Sequence, residues 1–268
     1  MNPQILTKTE EAIRQEIPGF RVQFKDESLT MKVLGFLAYP FNPTFMDDYI
    51  TTWGTGVYFP SREYYLERPE VAMSVLWHEY VHLWDQKRWG LLFKVSYIMP
   101  QVFGLVFFLL FAATNFWWSW LLLVPLAGYV IGIFLSRLFR PLFWLAFGAA
   151  AVSVITAAVI STGWWSVFLF AGLALFTPLP SPWRTSWELR GYTMTMAVRY
   201  WLTGDFPSRE ALAEHFVGPG YYFMSWGREG IDASLALGVQ RIETGSIIGE
   251  HPFQIAYEFF RKNGLLHA

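Results

Sequence analysis

Trp77-His78-Glu79-Tyr80-Val81-His82 is the stretch on which the reading of this chain turns. It lies in a segment that reads as helix from about Pro69, with Pro suited to a first turn and Glu70 to the helix dipole. At helical pitch His78 and His82 stand one turn apart on one face, close enough for two imidazoles to hold one zinc ion. Glu79 lies about 100° further round, placed to polarise a metal-bound water without becoming a ligand. The chain has only five histidines, so two at this spacing around a glutamate are poorly explained as incidental members of an amphipathic helix.

Catalytic zinc takes three protein ligands plus water. With no cysteine in the chain, the third ligand must be His, Asp or Glu. Glu188, in Trp187-Glu188-Leu189-Arg190-Gly191-Tyr192, opens a run to Leu202 whose apolar spacing suits a second helix. The competing reading is a capping box, Thr185-Ser186-Trp187-Glu188, with Glu188 closing the first turn. His215 in the polar helix pattern Ser208–Phe216, His251 after a loop-like Gly-Glu and His267 at the tail have weaker contexts, His215 being next in line. Asp85, seven positions after His78, is a candidate to orient an imidazole, and is equally well placed to pair with Arg88. Tyr192, His215, Tyr221, Tyr222 and Arg190 are candidate donors to a developing oxyanion.

Composition governs the expected setting. The chain is 54% hydrophobic and 15% charged, against about 25% charged for ordinary soluble domains. No charged residue occurs from Val95 to Ser136 or from Pro141 to Trp183. At about 20 residues per span, each stretch has room for two transmembrane helices. The expected spans are Ser96–Ala113, Phe116–Leu135, Leu142–Ile160 and Trp164–Leu179, turning at Thr114-Asn115 and at Ser161-Thr162-Gly163. Trp117, Trp118, Trp120, Trp144, Trp164, Trp165 and Trp183 resemble interfacial belts. Lys87, Arg88, Lys94, Arg137, Arg140, Arg184 and Arg190 flank the spans, which by the positive-inside rule puts them in the cytoplasm. An even span count keeps His78, His82 and Glu188 on one side. The expectation is a multi-pass bacterial inner-membrane protein with a cytoplasmic active site and the lipid bilayer as a partner. No span contains an ionisable residue, which disfavours a transporter with a cytoplasmic domain. Net charge −1 and a pI near 6.5 point away from nucleic acid.

Met1 to Pro18 carries charges and no apolar core, so it does not read as a signal peptide; Thr7-Lys8-Thr9-Glu10 suggests a short capped helix ending near Pro18. Arg21–Lys25 and Leu29–Leu37 alternate like a hairpin, and Thr51–Phe59 reads as a further strand stopped by Pro60.

His78-Glu79-Tyr80-Val81-His82 with a later helical Glu188 resembles the gluzincin branch of zinc metallopeptidases, the thermolysin-like clan. The strands before the metal helix and the glutamate helix after it are similar to minigluzincins. A membrane hairpin between the two helices resembles the membrane-embedded HtpX and CaaX-protease group, although no span precedes the metal helix here. The resemblance covers about residues 45–90 and 184–203. It implies an α+β zincin-like catalytic domain, a small sheet plus metal helix and glutamate helix, interrupted by a four-helix transmembrane insertion. The expected parts are residues 1–94, 95–183 and 184–268. It implies a zinc metalloendopeptidase with one Zn2+ per chain held by His78, His82 and Glu188, and Glu79 as general base towards a peptide or protein substrate. Gly56, Val57 and Tyr58 resemble the edge strand on which gluzincins align substrate. Where those relatives carry Asp four residues after the ligand Glu, this chain has Tyr192, whose phenol can hydrogen-bond from the same face. A catalytically inactive zinc-binding membrane receptor or scaffold is the alternative; an intact Glu79 argues against it.

Overall fold

A computed structural model describes residues 4–39, 42–114, 127–128, 131–134, 140–163, 166–175, 180–218, 224–225 and 227–267. The chain divides into two units: Met1–Ser28, Tyr49–Ile98 and Pro180–Ala268 form one, and Leu29–Asp48 with Met99–Leu179 form the other.

The first unit begins with α1 (Gln4–Glu16), which buries Ile5, Leu6, Thr9 and Ile13 on the face that packs against the metal helix. Strand β1 (Arg21–Phe24) follows. Strands β2 (Thr51–Trp53) and β3 (Gly56–Phe59) form a hairpin whose two-residue loop holds Gly54 at φ +64°. The sheet order is β1-β3-β2, with β1 parallel and β2 antiparallel to β3. The expected single strand Thr51–Phe59 therefore folds back on itself at the residue best able to take positive φ. Gly56, Val57 and Tyr58 lie in the central strand, paired on both sides, so they do not form an open edge; the outer strands are β1 and β2.

After α3 (Arg62–Glu67), capped by the Ser61 hydroxyl accepting from Tyr64 N–H, comes α4 (Pro69–Trp89). Pro69 opens it, Lys87 and Arg88 sit in its last turn, and Gly90 at φ +53° ends it. Its apolar residues go almost all the way round: Ala72, Met73, Leu76, Trp77, Tyr80, Val81 and Leu83 are buried, as suits a helix covered on several sides. Trp77 lies 5.3 Å and 6.3 Å, ring to ring, from Phe259 and Phe260. Truncating such a buried aromatic costs about 3–5 kcal/mol. Short α5 (Leu91–Tyr97) then leads out of the unit.

In the second unit, Leu29–Ala38 is helix α2, not the second arm of a hairpin. The Leu, Met and Lys of Leu29-Thr30-Met31-Lys32-Val33-Leu34 are strong helix formers that outweigh a short apparent alternation. Helices α6 (Gln101–Thr114), α7 (Arg140–Thr162) and α8 (Ser166–Leu175) follow. Among the described residues no helix is long and apolar enough to cross a membrane, which overturns the four-span insertion and, with it, the multi-pass inner-membrane placement. The first uncharged stretch is also spent differently: Val95 to Tyr97 belong to α5, and α6 starts only at Gln101. α6 packs against α8, with Phe107 stacked 6.1 Å from Phe168. Residues 116–126 of the second expected span, with Trp117, Trp118 and Trp120 among them, lie outside the described residues, as do Asn115, Trp164, Trp165 and residues 176–179.

The chain re-enters the first unit at α9 (Pro182–Thr203), capped by the Ser181 hydroxyl accepting from Arg184 N–H and ended by Gly204 at φ +75°. Glu188 thus sits in the second turn, and the capping-box reading falls. α10 (Arg209–Val217), α11 (Arg228–Glu243), a 3-10 turn (Ser246–Gly249) and α12 (His251–Lys262) complete a mostly helical unit. α9 packs along α4, and against α11 and α12; this α4–α9 pairing positions the site.

Candidate metal centre

His78, His82 and Glu188 come together as a group able to hold a metal ion. His78 Nε2 lies 3.1 Å from His82 Nε2 and 3.6 Å from Glu188 Oε2, and His82 Nε2 lies 3.7 Å from the same oxygen. A tetrahedral ion with bonds of about 2.0–2.1 Å needs ligand atoms about 3.3–3.4 Å apart. The observed triangle brackets that spacing, so the residues fit. The three side chains are 12%, 8% and 6% exposed, which shields the ligands from solvent.

Two of the three ligands are oriented from behind, while His82 Nδ1 is buried with no hydrogen-bond partner among the described residues. Thr195 Oγ1 donates to the Gly191 carbonyl at 3.4 Å and lies 3.1 Å from His78 Nδ1. With its proton committed, the hydroxyl accepts from Nδ1–H, which leaves the His78 Nε2 lone pair free towards the centre. Tyr97, at the end of α5, donates its hydroxyl to Glu188 Oε1 and leaves Oε2 to the histidines. Trp187 Nε1–H donates to Ser96 Oγ at 3.0 Å and fastens α5 to α9. Gly191 leaves room for the His78 ring: a Cβ there would stand 2.6 Å from Nε2 and 2.7 Å from Cε1. Glu79 Oε2 accepts from Thr52 Oγ1 of β2 at 2.6 Å.

The electrostatics suit a cation. Burial opposes charge on His82, but Glu188, Glu79 and Asp85 together outweigh it and hold its pKa up at about 9. Burial would raise Glu188, yet the two histidines hold it well below the usual carboxylate range. Burial and the Glu188 charge push the Tyr97 phenol up, so it stays a donor.

The remaining candidates take other positions around the triad or lie away from it. Asp85 is fully buried and bonds Arg190 through Oδ1; among the described residues it makes no hydrogen bond to either imidazole. The partner it takes is on α9, so it ties the metal helix to the glutamate helix. Tyr192 stands edge-on to His78 at 5.0 Å and stacks on His215 at 5.8 Å. The role expected four residues after Glu188 is filled seven residues after it, by Thr195. Tyr221 and Tyr222 lie outside the described residues. His251 stacks on Trp84 at 3.8 Å, away from the triad.

Compared with protein-family models, curated proteins and solved structures, the chain matches none. The site therefore rests on its own geometry. Tyr97, Thr52, Gly191 and Thr195 were missed from sequence; the one available signal was on α9, where Glu188, Gly191 and Thr195 share a face at i, i+3 and i+7.

Proposed function

We propose that the chain is a zinc-dependent peptidase of gluzincin type. The observation that carries this is the convergence of His78 Nε2, His82 Nε2 and Glu188 Oε2 beside a Glu79 carboxylate held at one oxygen by Thr52. Two neutral imidazoles and one carboxylate are a donor set used by catalytic zinc, and zinc bound there would supply Lewis acidity to a carbonyl and to water. Glu79 Oε2 is fixed by Thr52 and Oε1 has no hydrogen-bond partner among the described residues, so Oε1 takes the proton of the attacking water and returns it to the leaving amine. Thr195 and Tyr97 hold the ligands in place during turnover.

Strand β2 is the substrate edge in this reading. Only one of its edges is paired among the described residues, and its Thr52 touches the base. An extended peptide adding to the open edge would run beside Glu79, its main chain held by strand pairing. Glu79→Gln tests the assignment: peptide hydrolysis should fall by about 100-fold or more, with zinc content unchanged. A zinc-loaded wild type that cleaves nothing in a broad peptide library would leave a metal-binding scaffold instead.

A further inference from the structure

We propose that a second site, separate from the metal centre, binds a small phosphate-type oxyanion. A cavity of about 560 Å³ is lined by Trp84, Lys87 and Arg88 of α4, Arg190 of α9 and the segment Gly249–Pro252 that opens α12. Its volume is within the range of about 300–1,000 Å³ found for small-molecule sites. The wall is cationic beyond what the protein neutralises. Arg88 has no carboxylate within ion-pair distance among the described residues, its guanidinium lying 5.4 Å over the Trp89 ring. Lys87 gives a 2.8 Å hydrogen bond to the Glu16 carbonyl and stands 5.1 Å over Trp84, again without a carboxylate. Arg190 spends one nitrogen on buried Asp85; the rest of its fork has no protein acceptor among the described residues. Glu250, the acid on the wall, is taken by Arg241.

Two further features fit the same ligand. Helix α12 directs the positive end of its dipole at this wall. His251, stacked on Trp84 at 3.8 Å, turns Nε2 to Glu16 at 3.6 Å and has a buried Nδ1 with no partner among the described residues. Three cations lining one cavity suit a multiply charged, tetrahedral acceptor better than a single carboxylate, because Arg forks engage phosphate oxygens in pairs. The Trp84–His251 stack adds a flat surface for whatever the phosphate is attached to. Arg190 lies two residues from Glu188 and next to Gly191, so an occupant also touches the helix that carries the third ligand.

The test is isothermal titration of chelator-stripped full-length protein at constant ionic strength, with inorganic phosphate, phenyl phosphate and citrate as probes. Saturable one-to-one binding of both phosphates is expected, citrate being at least about 10-fold weaker. Tighter binding of phenyl phosphate assigns the site to phosphate monoesters, and equal binding to the free ion. Arg88→Gln, an exposed residue whose replacement leaves the fold intact, should weaken phosphate by about 10–100-fold, as expected for one charge-assisted hydrogen bond. Lys262→Ala, on the far end of α12, should leave it unchanged. No saturable heat, citrate equal to phosphate, or full affinity in Arg88→Gln would overturn the proposal. Because the protein is stripped of metal, none of these results depends on the peptidase reading.

Discussion

Gly191→Ala puts the geometry of the metal centre under direct strain. A Cβ at 191 would lie 2.6 Å from His78 Nε2, 2.7 Å from Cε1 and 2.9 Å from Cδ2, where ordinary contact begins at 3.4 Å. The imidazole must retreat by about 0.8 Å, several times the roughly 0.2 Å tolerance of a metal–ligand bond. The ring has little freedom to do so, being bonded to Thr195 and set edge-on against Tyr192. Overpacking costs about 1–3 kcal/mol, while Ala in place of Gly in a helix returns up to about 1 kcal/mol. The net loss of stability is thus about 0–3 kcal/mol, small beside the effect expected on zinc. Zinc affinity, read by titration against a competing chelator, should drop by about 100-fold or more, since one of three ligands is displaced. Gly230→Ala in α11, where an added Cβ meets nothing within 4 Å, is the control: it should stabilise slightly and leave zinc unaffected. Wild-type zinc affinity in Gly191→Ala would refute the placement of His78 as a ligand against α9.

Tyr97→Phe removes the donor to Glu188 Oε1 and should weaken zinc by about 10–100-fold, again in a chelator competition; unchanged affinity would deny Tyr97 any hold on the ligand. Thr52→Val removes the hydroxyl from Glu79 and should lower kcat/KM by about 10–100-fold, with zinc content as in the wild type. The metal-free protein should lose stability in alkali. The His82 pKa is about 9 in the fold against 6.5 for the free side chain, so its contribution is complete below about pH 6.5 and disappears as pH rises through about 9. The loss is at most about 3 kcal/mol, shared with Glu188 because both shifts report one interaction. Urea midpoints of stripped protein from about pH 6 to 9.5 should fall accordingly, and flat midpoints would contradict the buried pairing.

Much of the metal centre was readable because its signal is local. His78, Glu79 and His82 lie within a single helical turn, so pitch alone relates them. Glu188 was legible as the one acid of its helix, whose start at Ser181–Pro182 follows ordinary capping chemistry. Tyr97 was hidden by its neighbours: it stands in a long uncharged stretch where hydropathy reads one span, and only the fold shows that the stretch first makes α5. Apolar composition does not fix how a run is divided into helices, and on that point the four-span reading failed. Strand partners were equally invisible, since β1 pairs with β3 across more than thirty residues and nothing in the local alternation of Leu29–Leu37 separated helix from strand. Thr52 and Thr195 carry no motif; their roles come from which helix or strand faces them.

Zinc-edge X-ray absorption of the zinc-loaded wild type, beside Glu188→Gln, reads the ligand set itself. One zinc per chain is expected, with two imidazole nitrogens and one carboxylate oxygen at about 2.0–2.2 Å, and loss of an oxygen ligand or of the metal itself in Glu188→Gln. A wild-type spectrum without two imidazoles, or one that Glu188→Gln leaves unaltered, would contradict that ligand set.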